Sequence, residues 1–177
     1  MNHWGQRREQ HCRSGIHPGL DRIRHARHTL ALHPRVPLIH VVGTNGKGSA
    51  CRYLEALALE TGLRPGVFIS PWMDEPGEQI RIRGEALLGE AFERASRVLM
   101  TRLPRDHISV FEFDALLAVQ QGMERGCDVL VLEAGMGGRE DAVNVWDGDA
   151  AILTSIGLDH GRFLGRLLSN GRPYERP

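Results

Sequence analysis

Leu38-Ile39-His40-Val41-Val42 runs without a break into Gly43-Thr44-Asn45-Gly46-Lys47-Gly48-Ser49. A short, mostly apolar run suits a buried strand, and a turn of small residues lets backbone N–H groups crowd inward before a helix begins. That order commits the chain to a strand–turn–helix unit and so to an α/β architecture. The amides and the dipole of the following helix favour an anion at the turn. Lys47 is the only lysine, in a chain that uses arginine at every other basic position. A site that keeps one compact ammonium among guanidinium groups reads as a phosphate site. The ammonium would meet phosphate oxygens while the hydroxyl of Ser49 or Thr44 faces Mg²⁺. The spelling departs from the common G-x-x-x-x-G-K-[ST], because Val41 stands at the first glycine and Gly48 separates lysine from serine. An ordinary strand–helix turn is the plain alternative, and the strand, Lys and Ser in this order weigh against it.

With 177 residues and 41% hydrophobic composition the chain can bury one sizeable core. Its 22 basic and 22 acidic residues balance, so nothing draws it to nucleic acid or to a membrane surface. Cys12, Cys51 and Cys127 have no metal-ligand spacing and read as reduced thiols, two of them facing the core, in a cytoplasmic protein. No apolar run approaches membrane-spanning length, and no signal peptide is visible.

Residues 1–13 are polar and without period, which predicts a disordered lead-in whose histidines are solvated. Leu20, Ile23 and Leu30 suggest a short amphipathic helix closed by His33-Pro34. Ala50, Leu54, Leu57 and Ala58 continue the helix after the glycine turn, with Thr61-Gly62 as its stop. Val67-Phe68-Ile69 reads as a buried strand ahead of Ser70-Pro71, and residues 72–78 as a loop. Phe92, Ala95, Val98 and Leu99 mark one helix, and Phe113, Leu116, Leu117 and Gln120 another. Val129-Leu130-Val131-Leu132 and Ala151-Ile152-Leu153 complete the strands. The alternation predicts a P-loop NTPase-like, mostly parallel sheet with helices on both faces.

Ligands of such sheets collect at the carboxyl ends of the strands. Lys47, Ser70, Glu133 and Asp159-His160 each follow or end a strand, so they are expected along one edge. An acid ending an apolar strand near a phosphate turn is placed to hold Mg²⁺, directly or through water; capping a loop is its other use. His160 on its own would read as a structural histidine.

The Gly43–Ser49 turn, Ser70-Pro71, Glu78 to Gly84, Phe111-Glu112, Glu133 to Arg139, Asp141-Ala142-Val143-Asn144 and Thr154 to His160 resemble, in that order, folylpolyglutamate synthase. In many bacteria that enzyme doubles as dihydrofolate synthase, and it groups with the Mur-type ATP-dependent ligases. Pro18 to Arg22 joins the resemblance, which runs from about Ser14 to Gly165.

The resemblance implies a truncated Mur ligase central domain over residues 14–165, an atypical tail over 166–177, and no carboxy-terminal ligase domain. It implies ATP and Mg²⁺ as cofactors, folate or dihydropteroate and L-glutamate as substrates, and association through surface that truncation exposes. Gly43, Thr44, Asn45, Gly46, Lys47, Gly48 and Ser49 would bind ATP, with Lys47 also catalytic. Ser70, Glu133 and His160 would be the metal ligands. His17, Pro18, Gly19, Ser109, Val110, Phe111, Glu112, Glu140, Asp141 and Ala142 would form the folate pocket, although Phe111 reads equally as core packing. The implied reaction is amide ligation through an acyl phosphate, with the truncated chain expected to be inactive on its own. Trp72 stands where the family has a histidine. The family's carbamylated lysine has no counterpart, because no lysine follows Lys47. A non-catalytic nucleotide-binding remnant and another Mur-type amide ligase are the alternative readings.

Overall fold

The computed structural model describes residues 8–13, 15, 19–105 and 107–157. Helix α1 spans Asp21–Thr29, strand β1 Leu38–Val42 and helix α2 Lys47–Glu60. Strand β2 (Pro65–Phe68) is followed by a 3₁₀ turn at Pro76–Gln79 and the hairpin β3 (Ile80–Ile82) and β4 (Glu85–Ala86). Helices α3 (Gly89–Arg102) and α4 (Val110–Glu124) lead to β5 (Val129–Glu133), a 3₁₀ turn at Ala142–Val145, and β6 (Ala150–Leu153).

The six strands form one sheet in the order β4-β3-β2-β5-β1-β6. β2, β5, β1 and β6 are parallel, and the β3–β4 hairpin is added antiparallel at one edge. The expected strands are all present; the hairpin was not foreseen, because Arg81, Arg83 and Glu85 break the apolar run that marks a buried strand. In a two-sided sheet successive side chains feed opposite cores. Leu38, Phe68, Ile80, Leu130 and Leu132 pack on the face that carries α4, with Ile23, Phe92 and Leu99 from α1 and α3 behind it. Val41, Val67 and Val131 pack on the other face against Cys51 and Leu54 of α2.

Helix α4 is buried continuously from Glu112 to Gly122. A helix enclosed on all sides loses the polar stripe of a surface helix. α2 ends as its sequence suggests: Gly62 takes φ +78° and Leu63 N–H reaches back to Ala58 O at 2.9 Å, a left-handed C-terminal cap.

Three expectations need correction. Residues 8–13 are no frayed lead-in: Arg8 is 1% exposed and ion-paired to Asp114, and Arg13 N–H donates to Ile108 O at 2.8 Å. All three cysteines are buried, rather than two, and none forms a disulfide. Val98 and Leu57, read as parts of apolar helix faces, are exposed on α3 and α2. Among the described residues no helix is long and apolar enough to cross a membrane. β6 closes the sheet at its other edge, and Leu153 and Ile156 are exposed there.

Candidate active site

The glycine turn is held from outside. Thr44 N–H donates to Ser155 O at 2.8 Å, Asn45 N–H donates to Ser155 Oγ at 2.9 Å, and Gly157 N–H donates to the Thr44 hydroxyl at 2.8 Å. Gly43 sits at φ +134°, where a Cβ would collide with the Thr154 hydroxyl and approach Ser155 N to 2.9 Å. The loop after β6 can therefore lie flat on the turn only because position 43 has no side chain. Of the two candidate hydroxyls, that of Thr44 is bonded to Gly157, while Ser49 is exposed in the first turn of α2. Gly46 caps α2 in the left-handed region at φ +82°. Lys47 is the first helical residue, and its Nζ donates to Thr44 O at 3.4 Å.

Glu133 ends β5 beside that turn. Its Oε2 accepts Ser70 N–H at 3.0 Å and lies 3.6 Å from where a Cβ on Gly48 would stand. Burial pushes the Glu133 carboxyl above its ordinary range, against the pull of Ser70 N–H and the Lys47 charge. Asp141 is pushed up to about 6, chiefly by burial, although Met136, Val143 and Gly135 N–H groups and Lys47 favour its anion. Its oxygens accept Met136 N–H at 2.8 Å and Val143 N–H at 3.1 Å, so this carboxylate organises the Gly135–Gly138 turn and caps the following 3₁₀ helix.

Two cavities meet at these groups. The smaller, about 270 Å³, is lined by Gly43, Thr44, Lys47, Gly137, Ser155 and Gly157, with Gly135 and Met136. The larger, about 610 Å³, carries Lys47, Ser70 and Glu133 on one side. Its other walls bring together Gly19, Ser109, Val110, Phe111, Glu112, Glu140, Asp141 and Ala142, all singled out by the sequence. Lys47, Gly135 and Met136 belong to both. Asn45 and Gly46 are exposed. His17, Pro18 and His160 lie outside the described residues.

Several wall residues have local duties. Ser109 and Glu112 form a reciprocal cap on α4: Ser109 N–H donates to Glu112 Oε2 at 2.7 Å and Glu112 N–H donates to Ser109 Oγ at 3.3 Å. The remaining Glu112 oxygen takes Arg22 Nη2 at 3.3 Å. Phe111 is half-buried, its ring 5.4 Å from that of Phe68, and packs on Gly135. The peptide bond Ser70–Pro71 is cis. Glu78 accepts Met73, Asp74 and Glu75 N–H groups, which fixes the loop that carries Trp72 into the cavity wall.

The sequence did not point to Gln79, Asp114 and Arg13, which also line the larger cavity. Signals existed for two of them: Asp114 is the one charged residue in the otherwise apolar stretch Phe113–Val119, and Gln79 lies in the Glu78 to Gly84 motif, a motif without an expected site role. Among the described residues, no three His, Cys, Asp or Glu side chains gather closely enough to hold a metal by themselves. The donors present still suit a hard cation. Glu133 is a buried carboxylate at the sheet edge, with the Ser70 backbone fixed against it.

The sequence matches no family model. It is 43% identical over 148 residues to the dihydrofolate synthase/folylpolyglutamate synthase of Haemophilus influenzae, which covers 83% of this chain and 34% of that protein. The solved structure of Escherichia coli FolC in complex with DHPP and ADP aligns with a TM-score of 0.83 at 35% identity, over 92% of this chain and 39% of that one. A bifunctional folylpolyglutamate synthase/dihydrofolate synthase with Mn, AMPPNP and L-glutamate bound aligns with a TM-score of 0.76 at 39% identity, over 85% and 37%. The chain spans about a third of the length of the curated relatives it matches.

Proposed function

Because the chain belongs with the dihydrofolate synthase/folylpolyglutamate synthase proteins over the third of their length that it spans, we propose that it forms the phosphate-binding and folate-binding part of such a ligase. The reading is of a cytoplasmic protein that uses ATP, Mg²⁺, a folate or dihydropteroate, and L-glutamate. The observation that carries it is the meeting of the two cavities at Lys47, Gly135 and Met136. A polyphosphate in the smaller cavity and a flat carboxylic acid in the larger would bring γ-phosphate and carboxylate to one junction.

A carboxylate is a poor electrophile. Transfer of the γ-phosphoryl group to its oxygen releases ADP and creates a leaving group; the glutamate amine then attacks the carbonyl carbon, and phosphate departs. Lys47 would neutralise charge on the transferring oxygens, and the amides of the α2 first turn would hold the polyphosphate. Mg²⁺, held by Glu133, Ser70 and His160, would supply further charge neutralisation at the phosphates. Phe111 would offer an aromatic face to the heterocycle. The shared junction matters because positioning of this kind can contribute roughly 7–11 kcal/mol toward lowering a barrier.

Binding of a non-hydrolysable ATP analogue with Mg²⁺, followed by dihydropteroate, tests the reading by calorimetry. Both should bind, and Phe111→Ala should weaken only dihydropteroate. Failure of either ligand to bind, or equal loss of both in the variant, refutes it.

A further inference from the structure

The larger cavity has a polar end that neither the phosphate chemistry nor the Phe111 wall accounts for. Asp114 is 2% exposed and Gln79 4%, yet both line the cavity. Arg8 Nη1 donates to both Asp114 oxygens, at 2.7 and 2.8 Å, and Gln79 Nε2 donates to Asp114 Oδ2 at 3.1 Å. Burial pushes the Asp114 carboxyl up to about 6, against the pull of Arg8 and Gln79, so at neutral pH it is an anion that can only accept, and the side of the Gln79 amide turned to it must be its NH₂ group. Which way a buried amide points is decided by such neighbours. Here the carboxylate, itself held by a guanidinium that cannot lose its proton, fixes the choice. The Gln79 carbonyl oxygen is left as an acceptor at the buried end of an otherwise largely apolar space.

We propose that Gln79 is a specificity-determining residue of this cavity, whose Oε1 accepts a hydrogen bond from an exocyclic amino group on a flat nitrogen heterocycle lying against Phe111. Asp114 is the positioning residue that fixes the amide, and Arg8 holds Asp114. The inference rests on the reading of this cavity as the folate or dihydropteroate site, and adds to it the group that is read. An exocyclic amino group is the matching donor because it projects beyond the ring edge. A buried acceptor left unmatched opposite a methyl group disfavours the wrong ligand.

The test compares dihydropteroate with its analogue carrying methyl in place of the amino group, each titrated calorimetrically into the 177-residue chain. The wild type should favour dihydropteroate by about tenfold, the worth of one well-placed hydrogen bond. Gln79→Met should bind the two alike. Asp114→Asn keeps the shape but can donate as well as accept, so the amide can turn over, and discrimination should fall to within about threefold. Thermal melts check that each variant is folded; should Gln79→Met not fold, Asp114→Asn decides. Wild-type discrimination retained in either folded variant overturns the proposal. If the wild type binds dihydropteroate and Phe111→Ala weakens both ligands while Gln79→Met changes nothing, the cavity reading stands and the role of Gln79 falls. Binding of neither ligand by the wild type overturns both.

Discussion

Gly135 is the sharpest steric test of how the two cavities are built. A Cβ added there would lie 2.8, 2.9 and 3.3 Å from three carbons of the Phe111 ring. Non-bonded carbons prefer about 3.5–4.0 Å, so two of these contacts are roughly 0.6 Å or more too close. The backbone itself is not the obstacle, because Gly135 does not adopt a positive φ. The Phe68 ring stands 5.4 Å from that of Phe111, so the ring can give way only toward the larger cavity, at the cost of that contact. Gly135→Ala should therefore cost about 1–3 kcal/mol through overpacking. The strain should vanish when the ring is removed. In the double variant Gly135→Ala/Phe111→Ala the methyl finds space, and stability should exceed the sum of the single effects by at least 1 kcal/mol, about the scale of coupling between touching residues. Urea denaturation of wild type, both singles and the double gives the cycle. Additivity within about 0.5 kcal/mol, the range for sites that do not touch, would refute the argument.

Binding of the ATP analogue should be abolished by Lys47→Ala and not restored by Lys47→Arg, since a planar fork does not fill the place of a compact ammonium; equal affinity in wild type and Lys47→Ala, by calorimetry, rules this out. Metal-assisted nucleotide affinity should fall far more for Glu133→Gln than for Glu140→Gln, and matching Mg²⁺ titrations of the two variants would remove Glu133 from the ligand set. His40, buried in the middle of β1, has its pKa lowered by burial despite a Val143 backbone bond and the Asp147 charge, which both raise it. The unfolded imidazole takes a proton near its ordinary pH of about 6.5 while the folded one resists until lower pH. The His40 contribution to stability should thus be full above that value and fall as pH drops toward the folded pKa. Urea midpoints between pH 7.5 and 5 measure this, and an unchanged pH slope in a folded His40→Leu variant would count against it.

The parallel core was legible because its strands are nearly uninterrupted apolar runs, and the glycine turn because it follows one of them. The β3–β4 hairpin was not, since Arg81 spends its charge on Glu55 of α2, with Nε 3.0 Å from both carboxylate oxygens, and so looks like a surface residue in the sequence. Most of the expected cavity wall lay in motifs near the strand ends and came together. What escaped was set by contacts distant in the chain. Arg8 and Asp114 are 106 positions apart, and nothing local to a polar lead-in tells an arginine that will be buried from one that will be solvated.

The glycine turn is not an independent module. Its Thr44 and Asn45 amides and its Thr44 hydroxyl are bonded to residues 155 and 157, on the loop after β6. Those bonds need β6 in register beside β1, where Val42 pairs with Leu153. They also need glycine at position 43, where any side chain would meet Thr154. The donors left facing inward belong to the first turn of α2, the part of the loop that a helix dipole reinforces. Any anion affinity at Lys47 would therefore be coupled to the seating of β6. A substitution that lifts the 154–157 loop, such as Gly43→Val, should weaken binding of the ATP analogue even though it leaves Lys47, Glu133 and Ser49 chemically intact. Unchanged affinity in a folded Gly43→Val chain would mean that the turn holds its shape without the strand beside it.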